Sequence, residues 1–162
     1  EINQNELFFY KNPEKSVVKK ANIKSIYLGH YHWWDGTKNY EVAKKYGFIP
    51  RKEGPLSGNY IDYDNIDERL CEIHLWFKFI KLGFWRPTDH VCYKIWNGYM
   101  EREEAVEIVN KLQYDFPTEY FQDFLDFHDL KEDEFWDIAE KWRNKEIFHK
   151  VNNEWRLKNE LS

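Results

Sequence analysis

The chain has 162 residues, one domain's worth of polypeptide, of which 42% are hydrophobic and 19% aromatic. With 8 Trp, 11 Tyr and 12 Phe, it carries too much apolar area for a disordered or low-complexity chain. A formal charge of −5 gives no global attraction to nucleic acid or anionic lipid, and 2 cysteines make no disulfide framework. No apolar run reaches bilayer length, so no membrane insertion is expected and a cytoplasmic location is. The sequence starts at Glu1 and its only methionine is Met100, which leads us to expect part of a longer protein.

In chain order, a loop leads into a short predicted helix from Pro13 to Lys20, with proline early, where its missing N–H costs nothing. Ile23 to Tyr31 reads as a strand, rich in Ile, Leu and Tyr, and Gly36 breaks it. Thr37 is expected to cap a helix that runs to about Tyr46 and is closed by Gly47. Pro50, Gly54, Pro55 and Gly58 mark a loop over 48–59.

The strongest helix spans roughly 64–82, with Ile66, Leu70, Ile73, Phe77 and Ile80 as one apolar seam. Asp67, Cys71, His74, Lys78 and Lys81 form a polar stripe beside it. A turn at Gly83–Pro87 precedes a short helix from about Pro87 to Trp96. Three further helices follow, marked by Ala105/Ile108/Val109/Leu112, by Phe121/Phe124/Leu125/His128 opened by Pro117, and by Phe135/Ile138/Ala139/Trp142. Ile147 to Leu157 alternates around Asn152-Asn153 and reads as a hairpin. The expected fold is mainly α: a helical bundle with an early β-strand and a C-terminal β-hairpin. A lone strand needs ladder partners, which points to a sheet beyond these residues.

Three constellations could carry chemistry. His30-Tyr31-His32 on a strand would place two imidazoles on one face, as a metal-dependent hydrolase needs, although the further ligands of such a site are lacking. Cys71-x2-His74 and His90-x-Cys92 are four zinc-ligand types, but two residues apart on a helix the second pair diverges. The ordinary alternative for both is strand-end histidines and buried thiols, and no metal is assigned. Lys81 through Asp89 gathers Lys81, Arg86, Thr88 and Asp89 at a helix-to-turn junction, where cations suit phosphate oxygens; a solvated helix end is the plain alternative. The sequence has no G-x-x-x-x-G-K-[ST] and no G-x-G-x-x-G, and Ser57 has no nucleophile-elbow context.

The segments also align with a known family. Ile26-Tyr27-Leu28-Gly29-His30-Tyr31 with Trp34-Asp35-Gly36 and Asn39 resembles the region after the nucleotide-binding core of N-acetyl sugar amidotransferases. These belong to the PP-loop ATP-pyrophosphatase superfamily and act in lipopolysaccharide and flagellin-sugar biosynthesis. Asn59-Tyr60-Ile61-Asp62-Tyr63, Asp67, His74 and Lys81-x-Gly83-Phe84-x-Arg86-x-Thr88-Asp89 are similar to the family's most distinctive block. Asn97-Gly98, Arg102-Glu103-Glu104-Ala105, Phe116-Pro117, Phe124-Leu125-Asp126, Glu134-Phe135-Trp136 and Asn153 to Leu157 continue the likeness in order.

The resemblance implies the C-terminal part of an α/β PP-loop protein. Residues 1–36 would be the end of the nucleotide-binding core, and 37–162 a helical domain with a terminal hairpin. The implied activity is ATP-dependent conversion of a sugar acetamido group to an acetamidino group on a nucleotide-activated N-acetyl sugar. An ammonia-supplying glutamine amidotransferase would be the partner, and ATP and Mg2+ would belong to the full-length protein. Lys81, Arg86 and Thr88 would face phosphates or substrate, with Asp67, His74 and Asp89 positioning the substrate or those cations. Trp34, Asp35 and Asn39 would lie near the nucleotide core.

Two features depart from the family pattern. The Ser-Gly-Gly-x-Asp-Ser loop is absent, so these residues alone are expected to be inactive; Trp96 and Glu101 stand where the family has Arg and Thr. A non-catalytic domain that docks the ammonia-supplying partner through exposed Trp85, Trp96 and Tyr99 is the alternative reading.

Overall fold

A computed structural model describes residues 7–162, so the first part of the expected N-terminal loop lies outside the described residues. The chain divides into two compact units, Glu1–Trp34 and Asp35–Ser162. In the first, a 3-10 turn at Phe8–Tyr10 precedes α1 (Lys15–Lys20), and a second 3-10 turn covers Leu28–His30.

The strand expected over Ile23–Tyr31 does not form. A strand forms only against a neighbouring ladder, and no described residue pairs with this run; local bonds form instead. The amides of Tyr31 and His32 both donate to the Leu28 carbonyl, at 2.9 and 3.0 Å. The strand alternation that would have put His30 and His32 on one face is therefore gone, and both side chains are exposed.

The second unit holds α2 (Gly36–Lys45), α3 (Cys71–Leu82), α4 (Arg86–Trp96), α5 (Arg102–Leu112), α6 (Phe121–His128) and α7 (Glu132–Trp142). Strands β1 (Phe148–Val151) and β2 (Glu154–Leu157) close it as an antiparallel hairpin, with Phe148 opposite Leu157 and Val151 opposite Glu154. Asn152 and Asn153 both take positive φ, 49° and 68°, the backbone a two-residue hairpin turn of the primed type requires.

The cap of α2 is Asp35 rather than Thr37: its carboxylate accepts from the amides of Thr37 and Lys38 at 3.0 and 3.1 Å. The helix expected from 64 starts only at Cys71. Residues 64–70 bend away because Asn65 sits at φ 49° and the Glu68 carboxylate accepts the Leu70 amide at 2.7 Å. Ile66 is consequently exposed, and the buried face of α3 is Glu72, Ile73, Trp76, Phe79 and Ile80.

Pro117 does not open α6. The Phe121 amide donates to the Thr118 carbonyl, and Glu119 turns to accept from the Ser57 amide and hydroxyl at 2.7 and 3.0 Å. That bond set holds 118–120 as a turn.

The main core joins Ile73, Trp76, Phe79 and Ile80 of α3 to Trp85, Leu125, Phe135, Ala139 and Phe148. Each fully buried large side chain there contributes about 1.5–3 kcal/mol. Phe135 makes edge contacts with Phe77, Phe116, Phe121 and Phe124, so α7 is held to α3 and α6 through aromatic rings. A smaller cluster of Val91, Met100, Ala105 and Val109 pairs α4 with α5. Trp85, expected on an exposed patch, is 0% exposed; its indole N–H donates to the Gln113 carbonyl at 3.0 Å. Its ring lies against Gly58, which has φ 77° and no room for a Cβ. Among the described residues, no helix is long and apolar enough to cross a membrane.

Candidate functional site

Two polar assemblies lie on either side of the start of α3. The first is a buried ionic centre. Arg86, at the first turn of α4, is 7% exposed. Its Nε and one terminal nitrogen donate to Glu72 Oε1 at 3.2 and 3.0 Å, and the other terminal nitrogen to Asp64 at 2.6 Å. Buried Asn59 donates to the second Glu72 oxygen at 2.9 Å. The Tyr60 amide can only donate, so at 3.4 Å it makes His90 Nδ1 an acceptor. The ring proton is then on Nε2, which faces Asp64 at 3.3 Å.

This centre is electrostatically closed. Burial lowers the Arg86 pKa, but the charges of Glu72 and Asp64 outweigh that and raise it on balance. The hydrogen bond from His90 leads in holding the Asp64 carboxyl below its ordinary value; desolvation opposes it and the Arg86 charge adds to it. With its cation matched by two carboxylates, Arg86 locks the start of α4 onto α3 and the 59–64 loop. No donor is left in a clear position for a phosphate.

The second assembly is an open groove of about 580 Å3 between α3, α6 and α7. His74 and Lys81 stand on its α3 side, His128 on α6 and Trp142 on α7, over a floor that includes Leu70, Phe77, Phe124 and Ile138. The Lys81 ammonium sits 5.5 Å from the Trp142 ring centre, and His128 rests on Phe124 at 4.5 Å. Cys71 lines the groove and lies 4.0 Å from Arg86, making it the wall between the two assemblies. Burial pushes the Cys71 thiol up, so it is not a poised nucleophile.

The other residues that the sequence suggests for the site go elsewhere. Asp67 lines a separate cavity of about 320 Å3 with Arg51, Asp64 and Tyr120. Thr88 lines another, of about 300 Å3, beside Gly83 and Leu157. Both Asp89 oxygens accept from Lys78, at 3.1 and 2.8 Å. Asp35 is a buried cap that also accepts from the Tyr99 hydroxyl at 2.8 Å. Partial desolvation of Asp35 is outweighed by that bond and by the Lys38 and Thr37 contacts, which lower its pKa on balance. Asn39 is exposed on α2, and Trp34 is exposed in the first unit.

Of the six substrate or phosphate candidates, the structure thus brings together His74 and Lys81, with Arg86 behind their wall. Among the described residues, no three His, Cys, Asp or Glu side chains gather as metal ligands, so Cys71, His74, His90 and Cys92 do not form a four-ligand zinc set.

Sequence reasoning misses Glu72, Asp64, His128 and Trp142. Glu72 carries a signal, as an acid beside Ile73 on the face that is buried. His128 and Trp142 read as apolar-face markers of their helices, and their meeting across a groove depends on how α6 and α7 cross α3.

Among known proteins, residues 37–162 match the family described as LPS biosynthesis protein WbpG-like, C-terminal domain. No curated protein matches the chain.

Proposed function

The chain belongs to the WbpG-like C-terminal domain family of lipopolysaccharide (LPS) biosynthesis proteins, and we propose that it is the substrate-binding C-terminal part of an ATP-dependent sugar amidotransferase. The observation that carries this reading is the family match over 37–162, joined to the in-order likeness from Asn59 to Leu157.

The reaction converts an acetamido group on a nucleotide-activated N-acetyl sugar to an acetamidino group. An amide oxygen is a poor leaving group, so ATP first adenylates it, releasing pyrophosphate. Ammonia, supplied by a glutamine amidotransferase partner, then adds to the activated carbon. AMP leaves with the former amide oxygen, and a proton is lost from nitrogen. Adenylation belongs to a phosphate-cradling loop that this sequence does not contain. ATP and Mg2+ would belong to the full-length protein; among the described residues, no three His, Cys, Asp or Glu side chains gather as metal ligands.

What this chain supplies is a binding surface. Lys81 and His74 front the groove, where a cation can meet phosphate oxygens. Arg86 holds the start of α4 against α3 through Glu72, while the helix itself sets the spacing of His74 and Lys81. The reading puts the protein in the cytoplasm, where its ATP is.

The test uses the full-length protein with ATP, the sugar nucleotide, and the glutaminase with glutamine. AMP should be released only when the sugar is present, and Lys81→Gln should lower the rate with Arg86 intact. Sugar-independent AMP release, or none, would count against the assignment.

A further inference from the structure

We propose that the groove between α3, α6 and α7 binds an anion carrying a planar ring, the chemistry of a nucleoside diphosphate, with Trp142 as the stacking face and His128 as a third contact to the anion. The inference rests on the amidotransferase reading and deepens it, naming two residues and a ligand orientation that the sequence did not indicate.

Four observations support it. Among the described residues, Lys81 and His74 have no carboxylate partner within ion-pair distance, whereas Arg86 and Lys78 on the neighbouring surfaces are both committed to acids. His74 and Lys81 are seven residues apart on one helix, roughly 10 Å along its axis, a span that suits an extended ligand rather than a single small ion. Glu68, the one carboxylate among the lining residues, is turned to the Leu70 amide at 2.7 Å, which aims its charge at the helix start. Trp142 is 55% exposed although its helix supplies the main core, so its ring is not held there by burial alone.

The Lys81 contact to Trp142 gives the site an exchange mechanism. The Lys81 ammonium lies over the indole as a cation–π pair. A ligand ring that takes the indole face displaces the ammonium toward the ligand's own phosphates. One contact is replaced by two: ring on ring and cation on anion. His74 on α3 and His128 on α6 face the same space and can donate ring N–H bonds to the remaining oxygens.

Calorimetric titration of the complete chain with uridine 5′-diphosphate, uridine and inorganic pyrophosphate tests this. The diphosphate should bind more tightly than either part alone. Trp142→Leu should weaken nucleoside diphosphate binding roughly fivefold or more while leaving pyrophosphate binding unchanged, as loss of a stacking face does. Trp142→Phe should restore most of the affinity. Lys81→Gln and His128→Gln should weaken both diphosphate and pyrophosphate. Trp96→Leu, on an exposed α4 position outside the groove, should titrate as wild type. All the altered side chains are exposed, so melting temperatures should match.

If no probe binds, or if Trp142→Leu and Lys81→Gln titrate as wild type, the site assignment is overturned. Acetamidino formation by the full-length protein is scored separately. Product without groove binding removes this proposal and leaves the amidotransferase reading standing. Groove binding without product does the reverse.

Discussion

Replacing Arg86 by Met would leave the buried Glu72 carboxyl group with only the Asn59 amide as partner. The structure indicates how the loss divides. The Glu72 side chain is 4% exposed, so water cannot replace the two bonds it loses from the guanidinium. The Asp64 side chain is 40% exposed and rehydrates, so its arm of the pair contributes little. Removing one partner of a buried ion pair costs about 3–5 kcal/mol, and nearly all of it here should come from the Glu72 side. Equilibrium urea denaturation followed by Trp fluorescence would measure it. Glu72→Gln in the Arg86→Met background should recover a large part, because it removes the stranded carboxyl group. If instead Arg86 served mainly as a phosphate contact, Arg86→Met would lower the unfolding free energy by no more than a surface change does, about 0.5 kcal/mol. That result would refute the structural role.

Gly58→Ala should destabilise by roughly 2–5 kcal/mol, combining left-handed backbone with a Cβ driven into the Trp85 ring; an unchanged thermal midpoint would contradict the packing described. The Asp64 pKa is depressed in the folded protein, so its stabilisation is fully present above the unfolded value near 3.8 and is lost as pH falls through the lower folded value. Acid titrations should therefore show wild type losing stability below about pH 4 more steeply than Asp64→Asn, and parallel curves would rule the linkage out. Asn153→Gly should raise stability by a few tenths to about 1 kcal/mol, since φ of 68° suits glycine better, and calorimetric melting would detect the gain.

How much of the fold is legible in the sequence depends on whether the signal is local. The helices α4, α5 and α7 and the hairpin turn follow from spacing, proline and paired asparagines, all of them read within a few residues. The early strand fails because Ile, Leu and Tyr favour extension only where a neighbouring ladder exists. The start of α3 falls later than periodicity predicts because Asn65 and Glu68 bond the backbone through their side chains, a competition that apolar spacing does not register.

The candidate site divides the same way. His74 and Lys81 share a helix face and can be paired from sequence, as can Arg86 with a phosphate role. What assigns Arg86 to Glu72 and Asp64 is the packing of α4 on α3 and on the loop before it, across 14 and 22 residues, and no local pattern carries that. Likewise, the groove needs α6 and α7 brought to α3 by Phe135 and its ring contacts.

The most direct measurement is mass spectrometry of the sugar nucleotide after incubation with the full-length protein, ATP, the glutaminase partner and glutamine carrying heavy nitrogen in its side-chain amide. The expected product has the acetamido oxygen replaced by an NH bearing that heavy nitrogen, formed together with AMP and reduced by Lys81→Gln. Recovery of the acetamido sugar unchanged, with the heavy nitrogen found only as ammonia, would contradict the amidotransferase assignment.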